Sequence, residues 1–524
     1  MRYDKSVPGY YVENFGCRAT QADGATLERQ FEERGFSRAS TSAQAAIVVL
    51  NTCTVTAAAD RDARAAIRRI QRQNPGASIV VTGCYAQRAP QEIAALKGVT
   101  HVIGNSHKHR LAEIALLKDS EAPAAGAFVP ISELVPFSQR PTTDDQRPIF
   151  VSDIFAHTEL LAAPVFDAAN ERTRPNLKIQ DGCDNRCSFC VIPYVRGQSR
   201  SLAAERIIRE VNALVDSGYR EVVLSGINLG RWGRDLDVGP QTSELSRHAQ
   251  SAGGVPTLDV RGLRSKVGGL ASLIRTILSE SSIEKLRISS VEPMDWTDDL
   301  ISLIATSPRI AKHAHVPMQS ASDAVLRRMH RKYRPWHYRE KIEKIHAAMP
   351  DAAIGADVMV GFPGETDAEF EATRRMIEDL PFTYLHVFTY SARPGTTAAA
   401  MPNQVPLHTA RERNRVLREM ASVKKLGFMR SFIGKEIEAI TLKRECGIGA
   451  SPGDHLSHCH SEQSATATKR GGDQRGISSS RYTEALTDNY LKLRFKGNHQ
   501  PNRWLRARVE AVDAGALVGS CIAA

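Results

Sequence analysis

The chain has 524 residues, of which 42% are hydrophobic and 24% are charged, and its formal net charge is +11. This length exceeds what one hydrophobic core serves, so we expect two to four domains, and the composition excludes a chain that is disordered throughout. No secretory signal and no run of about 18 apolar residues is visible, which predicts a cytoplasmic protein without a membrane partner. The positive charge suits a polyanion such as nucleic acid, and it suits plain solubility equally.

The first part of the chain, residues 1–119, is predicted to form an open α/β sheet. Its strand-like runs YYVENF, AAIVVL and SIVV alternate with helical stretches such as ADRDARAAIRRIQRQ. A cysteine follows each strand directly, and the three are Cys17, Cys53 and Cys84. Because ligands collect at the carboxyl ends of parallel strands, we expect these thiols to converge at one edge of the sheet.

A linker is predicted over residues 120–172, which are rich in Ala, Pro, Ser and Thr and contain the candidate edge strand PIFVSDIF. A second βα series then occupies residues 173–405. Its strand-like runs are LKIQ, EVVLS, KLRIS, AHVPM, IGADVMV and YLHVF. Six βα units predict a partial (βα)6 barrel, with its chemistry on the loops that follow the strands. A polar, aperiodic insertion at 238–268 interrupts the series.

The last part of the chain is predicted to be β-rich. A basic helical connector at 406–430 leads into residues 431–524, whose runs GKEIEAITLK, ALTDNYLKLRF, WLRARVEAV and ALVGSC indicate a small β-barrel, a fold that commonly binds nucleic acid. A second polar insertion, 447–480, contains a cluster of metal-like composition: Asp454, His455, His458, Cys459 and His460. Its low-complexity setting makes this cluster more typical of a disordered segment. Five basic residues suit RNA phosphates or simply a solvated face: Arg494, Lys496, Arg503, Arg506 and Arg508.

Three closely spaced cysteines, Cys183, Cys187 and Cys190, lie in DGCDNRCSFC, directly after the first predicted barrel strand. Reduced thiols this close together indicate a metal rather than disulfides. Structural zinc wants four ligands, and no second pair lies nearby, although a distant ligand remains an alternative. Three thiolates on a four-iron cluster leave one iron open. The pattern therefore favours an open iron–sulfur cluster over zinc and over plain buried cysteines.

The CxxxCxxC spacing, with Phe189 directly before the last cysteine, resembles the radical S-adenosylmethionine (SAM) superfamily. More of the chain resembles the methylthiotransferases within it: NFGCR, NTCTVT, VTGCYAQ, LSGINLGRWG, LRISSVEPMDW, HAHVPMQSASDAVLRRMHRKY, GADVMVGFPGET and YSARPGT. NTCTVTAAADRDARAAIRR is most similar to the branch that modifies threonylcarbamoyladenosine in tRNA. Two departures are Ala321, where the family usually has Gly, and the residues that follow Cys17. Neither departure removes a predicted ligand.

This resemblance implies SAM and two four-iron four-sulfur clusters as cofactors. Cys183, Cys187 and Cys190 would hold the cluster that binds SAM, and Cys17, Cys53 and Cys84 would hold an auxiliary cluster that carries the sulfur. The implied reaction converts N6-threonylcarbamoyladenosine to its 2-methylthio derivative at the adenosine 3′ of the anticodon, position 37. The implied partners are the anticodon arm of tRNA, recognised by a TRAM-like C-terminal barrel, and a reductant protein such as flavodoxin or ferredoxin. We expect a monomer.

Further candidate SAM contacts are polar or small residues in or just after the barrel strands. They are Ser225, Gly226, Asn228, Ser290, Glu292, Gln319 and Asp357. Each also fits an ordinary cap or turn. Phe189 of the cysteine loop is a further candidate SAM contact. Alternative substrates are isopentenyladenosine and a ribosomal protein. A noncatalytic iron–sulfur protein that binds RNA is an alternative from another class, and the missing fourth cysteine in both triplets argues against it.

Overall fold

The structure is a computed structural model that describes residues 9–116, 148–157, 173–236, 269–443 and 482–522. The predicted insertions, the His455 cluster and most of the predicted linker lie outside these described residues. Within them, no helix is long and apolar enough to cross a membrane.

The N-terminal part is a six-stranded parallel sheet. Its strands are β1 (Gly9–Asn14), β2 (Ser37–Arg38), β3 (Ile47–Thr52), β4 (Ser78–Gly83), β5 (Val99–Ile103) and β6 (Ile149–Phe150). Its helices are α1 (Arg18–Glu32), α2 (Ala57–Gln73), α3 (Cys84–Arg88), α4 (Pro90–Ala94) and α5 (Leu111–Ala115), with 3-10 turns at Asn105–Arg110 and Ile154–Ala156. The spatial order is β2-β1-β3-β4-β5-β6, so PIFVSDIF does supply an edge strand.

Both faces of this sheet are buried, which explains why its strands are continuous apolar runs. Successive side chains of a strand point to opposite faces. Val48 and Leu50 therefore pack with α2, whereas Ile47 and Val49 pack with α1 and α5. The predicted open α/β sheet is confirmed.

The central part is a partial barrel. Its strands are β7 (Asn176–Asp181), β8 (Arg200–Ser201), β9 (Glu221–Gly226), β10 (Lys285–Ile288), β11 (His313–His315), β12 (Ala353–Val360) and β13 (Tyr384–Thr389). Its helices are α6 (Ile192–Arg196), α7 (Ala204–Asp216), α8 (Leu270–Glu280), α9 (Asp298–Thr306), α10 (Asp323–Arg328), α11 (Pro335–Ala348) and α12 (Asp367–Asp379). Shorter 3-10 turns lie at Leu229–Arg231, Pro293–Asp295 and Thr397–Ala400.

Six parallel strands follow one another around this barrel, as predicted. Hydrogen bonds order them as β10-β9-β7 and β11-β12-β13, and a parallel bridge between Ser290 and His315 joins the two sheets. The short β8 pairs antiparallel with β7 at the open edge. The strand predicted over AHVPM ends earlier than expected, at His315, because Pro317 has no N–H to donate to a ladder.

The C-terminal part begins with the long helix α13 (Leu407–Arg430) and ends in a closed five-stranded barrel, which confirms the predicted β-barrel. The strands are β14 (Glu436–Thr441), β15 (Tyr482–Thr487), β16 (Lys492–Lys496), β17 (Trp504–Asp513) and β18 (Ala516–Cys521). ALTDNYLKLRF is a hairpin rather than the single strand predicted. Asp488 and Asn489 favour a turn there, and Tyr490 takes a positive φ of 67°.

This hairpin turn, residues 487–490, closes the amino ends of the central barrel strands. The buried Arg287 of β10 donates hydrogen bonds to the main-chain oxygens of Thr487 and Asp488, at 3.3 and 3.0 Å. The ring of Tyr490 lies 4.9 Å from that of His313 at the start of β11. The opposite, carboxyl ends of the strands carry the cysteine loop.

Candidate functional site

The CxxxCxxC loop leaves the carboxyl end of β7 through a position that only glycine fits. Gly182 has a φ of +71°, and a Cβ atom there would lie 1.9 Å from the main-chain oxygen of Gln198. The next amide, from Cys183, donates to the oxygen of Gly197 at 3.1 Å. The backbone therefore fixes the first cysteine against the chain that returns to β8.

Gln180 organises the same corner from a fully buried position. Its amide nitrogen donates to the main-chain oxygens of Asp181 and Gly182 at 3.0 and 2.9 Å, and its oxygen accepts the Asn228 N–H at 2.7 Å. The side-chain nitrogen of Asn228 lies 3.6 Å from the sulfur of Cys183. Sequence reasoning missed Gln180, because its partners lie up to 48 residues away.

The three thiols of the loop are partly buried and close to one another. Burial raises the pKa of Cys183, and burial together with the neighbouring Cys187 raises the pKa of Cys190 to about 12. As free thiols these two groups are protonated at neutral pH. A bound metal is what makes such thiols into thiolate ligands, so the donor set fits an iron–sulfur cluster.

A buried arginine that sequence reasoning did not single out stands beside this loop. The Nη1 atom of Arg331 donates to the sulfur of Cys187 at 3.3 Å, and the guanidinium also forms an ion pair with Glu292. Burial opposes the charge, but Tyr333 and Glu292 hold the pKa of Arg331 well above its ordinary value. A permanent positive charge therefore faces one thiolate position.

Several predicted SAM contacts lie next to the loop with unsatisfied oxygens. Ser225 and Asn228 are buried, and their side-chain oxygens have no hydrogen-bond partner among the described residues; the oxygen of Asn185 in the loop is in the same state. Gly226 lets Gln180 pack closely against the chain, because a Cβ atom at this position would lie only 2.9 Å from the side-chain oxygen of Gln180. Buried polar atoms are normally paired, so these atoms fit a polar ligand at this position.

Other predicted contacts have visible structural partners. Phe189 packs edge-on to Phe362, with ring centres 6.3 Å apart. Ser290 forms the bridge to β11. Gln319, at a φ of +63°, donates its amide to the main-chain oxygen of Asp357 at 2.8 Å. Roles for these residues in SAM binding therefore stay predictions.

The second cysteine triplet lies at the carboxyl edge of the N-terminal sheet. Cys17, Cys53 and Cys84 follow the adjacent strands β1, β3 and β4. A Cβ atom on Gly16 would lie 2.6 Å from the Cβ of Cys53, and one on Gly83 would lie 2.3 Å from the main-chain oxygen of the residue before Cys53. The three loops thus abut, as the sequence predicts.

The second triplet lies close to the loop that bears the first. Cys84 packs against Val191 and Val195, and Val191 directly follows Cys190 in the other loop. Asn105 bridges the same contact, since its side-chain nitrogen lies 3.6 Å from the Cys84 sulfur and 2.6 Å from the oxygen of Val195. The edge of the sheet that bears one triplet therefore lies against the loop that bears the other.

A buried set of charges holds the sheet and the barrel together, and we call it the interdomain ion network. Asp23 of α1 pairs with Lys108 at 3.1 Å, with Arg196 at 2.9 Å and with Lys178. Asp181, next to the cysteine loop, pairs with Lys178 at 2.8 Å and with Arg196 at 2.9 Å. Burial opposes ionisation of both carboxyls. The three cations nevertheless hold the pKa of Asp23 well below the ordinary range, and Arg196, Lys178 and Arg200 do the same for Asp181.

A second junction lies beside Cys53. The buried Arg393 pairs with Asp60 and donates to the hydroxyl of Thr54 at 2.9 Å, and Arg88 pairs with Asp60 at 3.0 Å. Arg393 belongs to the YSARPGT segment after β13, so both ends of the barrel series contact the N-terminal sheet.

The predicted RNA-facing residues carry less free charge than the sequence suggests. Three arginines of the C-terminal barrel pair with acids on neighbouring strands: Arg494 with Glu484, Arg506 with Glu438, and Arg508 with Glu436. In the basic connector, Arg413 is buried and pairs with Glu365 at 2.7 Å. The basic stretch therefore serves partly to attach α13 to the central barrel.

Comparison with known families agrees with this geometry. Residues 177–377 match the radical SAM superfamily, and residues 9–104 match a family described as uncharacterized protein family UPF0004. A cysteine loop at the carboxyl end of a six-stranded barrel, together with that match, defines a radical SAM protein, and such proteins bind SAM and a four-iron four-sulfur cluster.

Curated relatives narrow the family. The chain is 34% identical to threonylcarbamoyladenosine tRNA methylthiotransferase MtaB of Aquifex aeolicus over 82% of this chain and 92% of that protein. The Bacillus subtilis protein of the same name is 36% identical over 76% of this chain and 77% of its own length. A tRNA-2-methylthio-N(6)-dimethylallyladenosine synthase of Novosphingobium aromaticivorans is 31% identical over 85% and 88%. The chain belongs to the tRNA methylthiotransferase family.

Proposed function

We propose that this protein transfers a methylthio group to C2 of N6-threonylcarbamoyladenosine at position 37 of tRNA. Relatives of that specificity, 34 and 36% identical, support the substrate. The observation that carries the proposal is the contact of Cys84 with Val191, which sets the sulfur-bearing triplet against the loop of the SAM triplet. When bound, the clusters and SAM supply the one-electron chemistry that an unactivated C2–H bond requires.

The chain's own residues hold and shield these groups. We propose that Cys183, Cys187 and Cys190 ligate the cluster with the open iron, and that Cys17, Cys53 and Cys84 ligate the auxiliary cluster. Ser225 and Asn228 line the SAM position, because their buried side-chain oxygens have no partner among the described residues, and Gly226 lies between them in sequence. Phe189, Ser290, Glu292 and Gln319 complete its surroundings, with Arg331 balancing the negative charge of the thiolates.

The division of labour along the chain is also a proposal. Residues 1–119 form the auxiliary-cluster part, 120–172 a linker, 173–405 the SAM part, 406–430 a connector and 431–524 a TRAM-like barrel that contacts the anticodon arm. A flavodoxin- or ferredoxin-like protein supplies electrons, and the enzyme acts as a monomer. The closed five-stranded barrel at the C-terminus supports the tRNA assignment.

The test uses the full chain with both clusters reconstituted. It is incubated without oxygen with SAM, a reductant and tRNA that carries threonylcarbamoyladenosine, and both 5′-deoxyadenosine and the modified nucleoside are measured by mass spectrometry. Cys187→Ala should abolish both products. Cys53→Ala should keep 5′-deoxyadenosine and lose the methylthio nucleoside. Cys521→Ala, an exposed cysteine on β18, is the matched control and should keep both.

Four outcomes would contradict the proposal. Conversion of isopentenyladenosine tRNA alone would assign the chain to the other nucleoside branch, and conversion of a ribosomal protein alone would remove tRNA as the substrate. The absence of 5′-deoxyadenosine from fully loaded protein would favour a noncatalytic role. Loss of the same step in Cys187→Ala and Cys53→Ala would refute the division between the two triplets.

A further inference from the structure

Three metal-ligating side chains outside the cysteine loops meet on adjacent barrel strands. His315 ends β11, Asp357 lies in β12 and His386 lies in β13, and one potential ligand atom of each falls within 4.8 Å of the others. The Oδ1 atom of Asp357 is 3.3 Å from Nε2 of His315 and 3.3 Å from Nδ1 of His386. The three residues are far apart in sequence and meet only through the strand register.

The group lies inside the barrel, on the side of the cysteine loop. Val358 and Leu385 belong to the core beneath the helices, so Asp357 and His386, one residue away, point to the opposite face. Met359, two residues after Asp357 and on its face, packs in one cluster with Phe189 of the CxxxCxxC loop. The three side chains therefore face the space beneath the CxxxCxxC loop.

The spacing of Asp357 from each imidazole fits two ligands of one cation. Two ligands at about 2.0–2.1 Å from a tetrahedral zinc ion lie roughly 3.3 Å apart, which is the spacing of Asp357 from each imidazole. His315 is 8% exposed, and its Nε2 atom makes no hydrogen bond of acceptable geometry within the described residues, although the carboxylate is adjacent. Two imidazoles and one carboxylate form a donor set that leaves coordination positions open.

We propose that His315, Asp357 and His386 bind a divalent transition-metal cation of the zinc class, with its open positions facing the barrel interior. This assigns Asp357 to a cation rather than to SAM. The ion lies outside both cysteine triplets and is chemically distinct from the clusters.

The open positions suit an oxygen anion of the substrate, a step that rests on the proposed function. The threonylcarbamoyl group carries a carboxylate, whereas a dimethylallyl group is apolar and carries none. A cation in the barrel that coordinates that carboxylate would distinguish the two modified adenosines. The cation would supply the positive charge for this recognition, since none of the three side chains that form the site is an arginine or a lysine.

The first experiment measures the cation itself on the reconstituted holoenzyme, after free iron is removed. Zn²⁺ binding is followed by calorimetry, and Mn²⁺ binding by electron paramagnetic resonance with the clusters in their diamagnetic resting state. We expect one equivalent of ion to bind. Asp357→Asn and His386→Ala should each weaken binding by at least the roughly 10- to 100-fold that loss of a supporting second-shell partner costs. His346→Ala, an exposed histidine on α11, is the control and should leave binding unchanged.

Unchanged affinity in both site variants, or no ion on the wild-type protein, would overturn the site. Equal cluster iron and circular dichroism in all variants ensure that a loss of binding reports the ligand and not misfolding. This test contains no tRNA, so it stands even if the proposed function fails.

The second experiment repeats the Zn²⁺ titration with two anticodon stem-loops, one with threonylcarbamoyladenosine and one with unmodified adenosine. Because coupling between two ligands is reciprocal, only the modified RNA should raise the affinity for the ion. Equal effects of the two RNAs would overturn the carboxylate assignment. Failure of the proposed function is seen separately, as the absence of methylthio product.

Discussion

Replacing Asp23 with Asn should loosen the N-terminal sheet from the barrel. Asp23 is buried and pairs with three cations, Lys108, Lys178 and Arg196, while Asp181 pairs with two of them. The network therefore has three positive and two negative charges, and Asp23→Asn leaves three against one. Removing one partner of a buried ion pair costs about 3–5 kcal/mol, because the other charges remain without water.

Hydrogen exchange detects this loss locally. Asp23 lies on α1, whose amides Arg18–Glu32 are followed by mass spectrometry on the full chain, loaded with clusters and kept without oxygen. A loss of about 3–5 kcal/mol corresponds to exchange that is faster by roughly two to nearly four powers of ten. The measurement resolves one helix, so it does not require the whole chain to unfold in one step.

The control is Glu33→Gln, which removes an exposed carboxylate one residue beyond the same helix. It should change exchange in α1 only slightly, since exposed pairs contribute about 0–1 kcal/mol. If the Asp23 and Glu33 variants exchange alike, the network does not hold the two parts together and the reasoning from burial is wrong.

Three further predictions follow from the site. Gly182→Ala should roughly halve the iron content per chain, because the cysteine loop would no longer hold one of the two clusters. The positive φ of Gly182 and its contact with the main-chain oxygen of Gln198 exclude a side chain there. The control Gly218→Ala, at a φ of +87° in open space, should keep the full iron content. Arg331→Met should lower the reduction potential of the adjacent cluster by up to roughly 100 mV, since a buried positive charge favours the reduced form; a redox titration that shows no change would contradict this, and Arg331→Lys should give an intermediate value. The stabilisation from the interdomain ion network should be complete above about pH 4 and decline as the pH falls further, because the pKa values of its two carboxyls are depressed in the folded state. The rate of proteolysis of the cluster-free chain should therefore rise as the pH falls below about 4, and it should rise less in Asp23→Asn.

Local patterns in the sequence predicted most of the fold and both cysteine triplets. Apolar strand runs and the CxxxCxxC spacing are legible within ten residues or fewer. The contacts that complete the site are not local: Arg331 reaches Cys187 across 144 positions, and Arg196 reaches Asp23 across 173. Such side chains come together only when the strands pair and the helices pack, so no periodicity in the sequence predicts these contacts.

The prediction of a single strand in ALTDNYLKLRF failed for a local reason. Apolar residues stand on both sides of Asp488 and Asn489, so the composition of the run indicates one strand, whereas the turn chemistry of these two residues divides it. His315 and His386 were missed for a third reason. A histidine on a strand has no distinctive neighbours in sequence, and its partner Asp357 is identified only when the register of β11, β12 and β13 is known.

The turn at residues 487–490 covers the amino ends of the central barrel strands, so the central barrel depends on the last part of the chain. A chain cut after α13 would expose the guanidinium of Arg287, whose main-chain acceptors come from that turn, and would remove Tyr490 from His313. His313 in turn bonds the hydroxyl of Tyr384 at 2.7 Å, and Tyr384 stacks on His315. The C-terminal barrel therefore cannot be exchanged freely. A replacement barrel must carry the same turn, because otherwise the central strands lose the contacts of Arg287 and His313 with it.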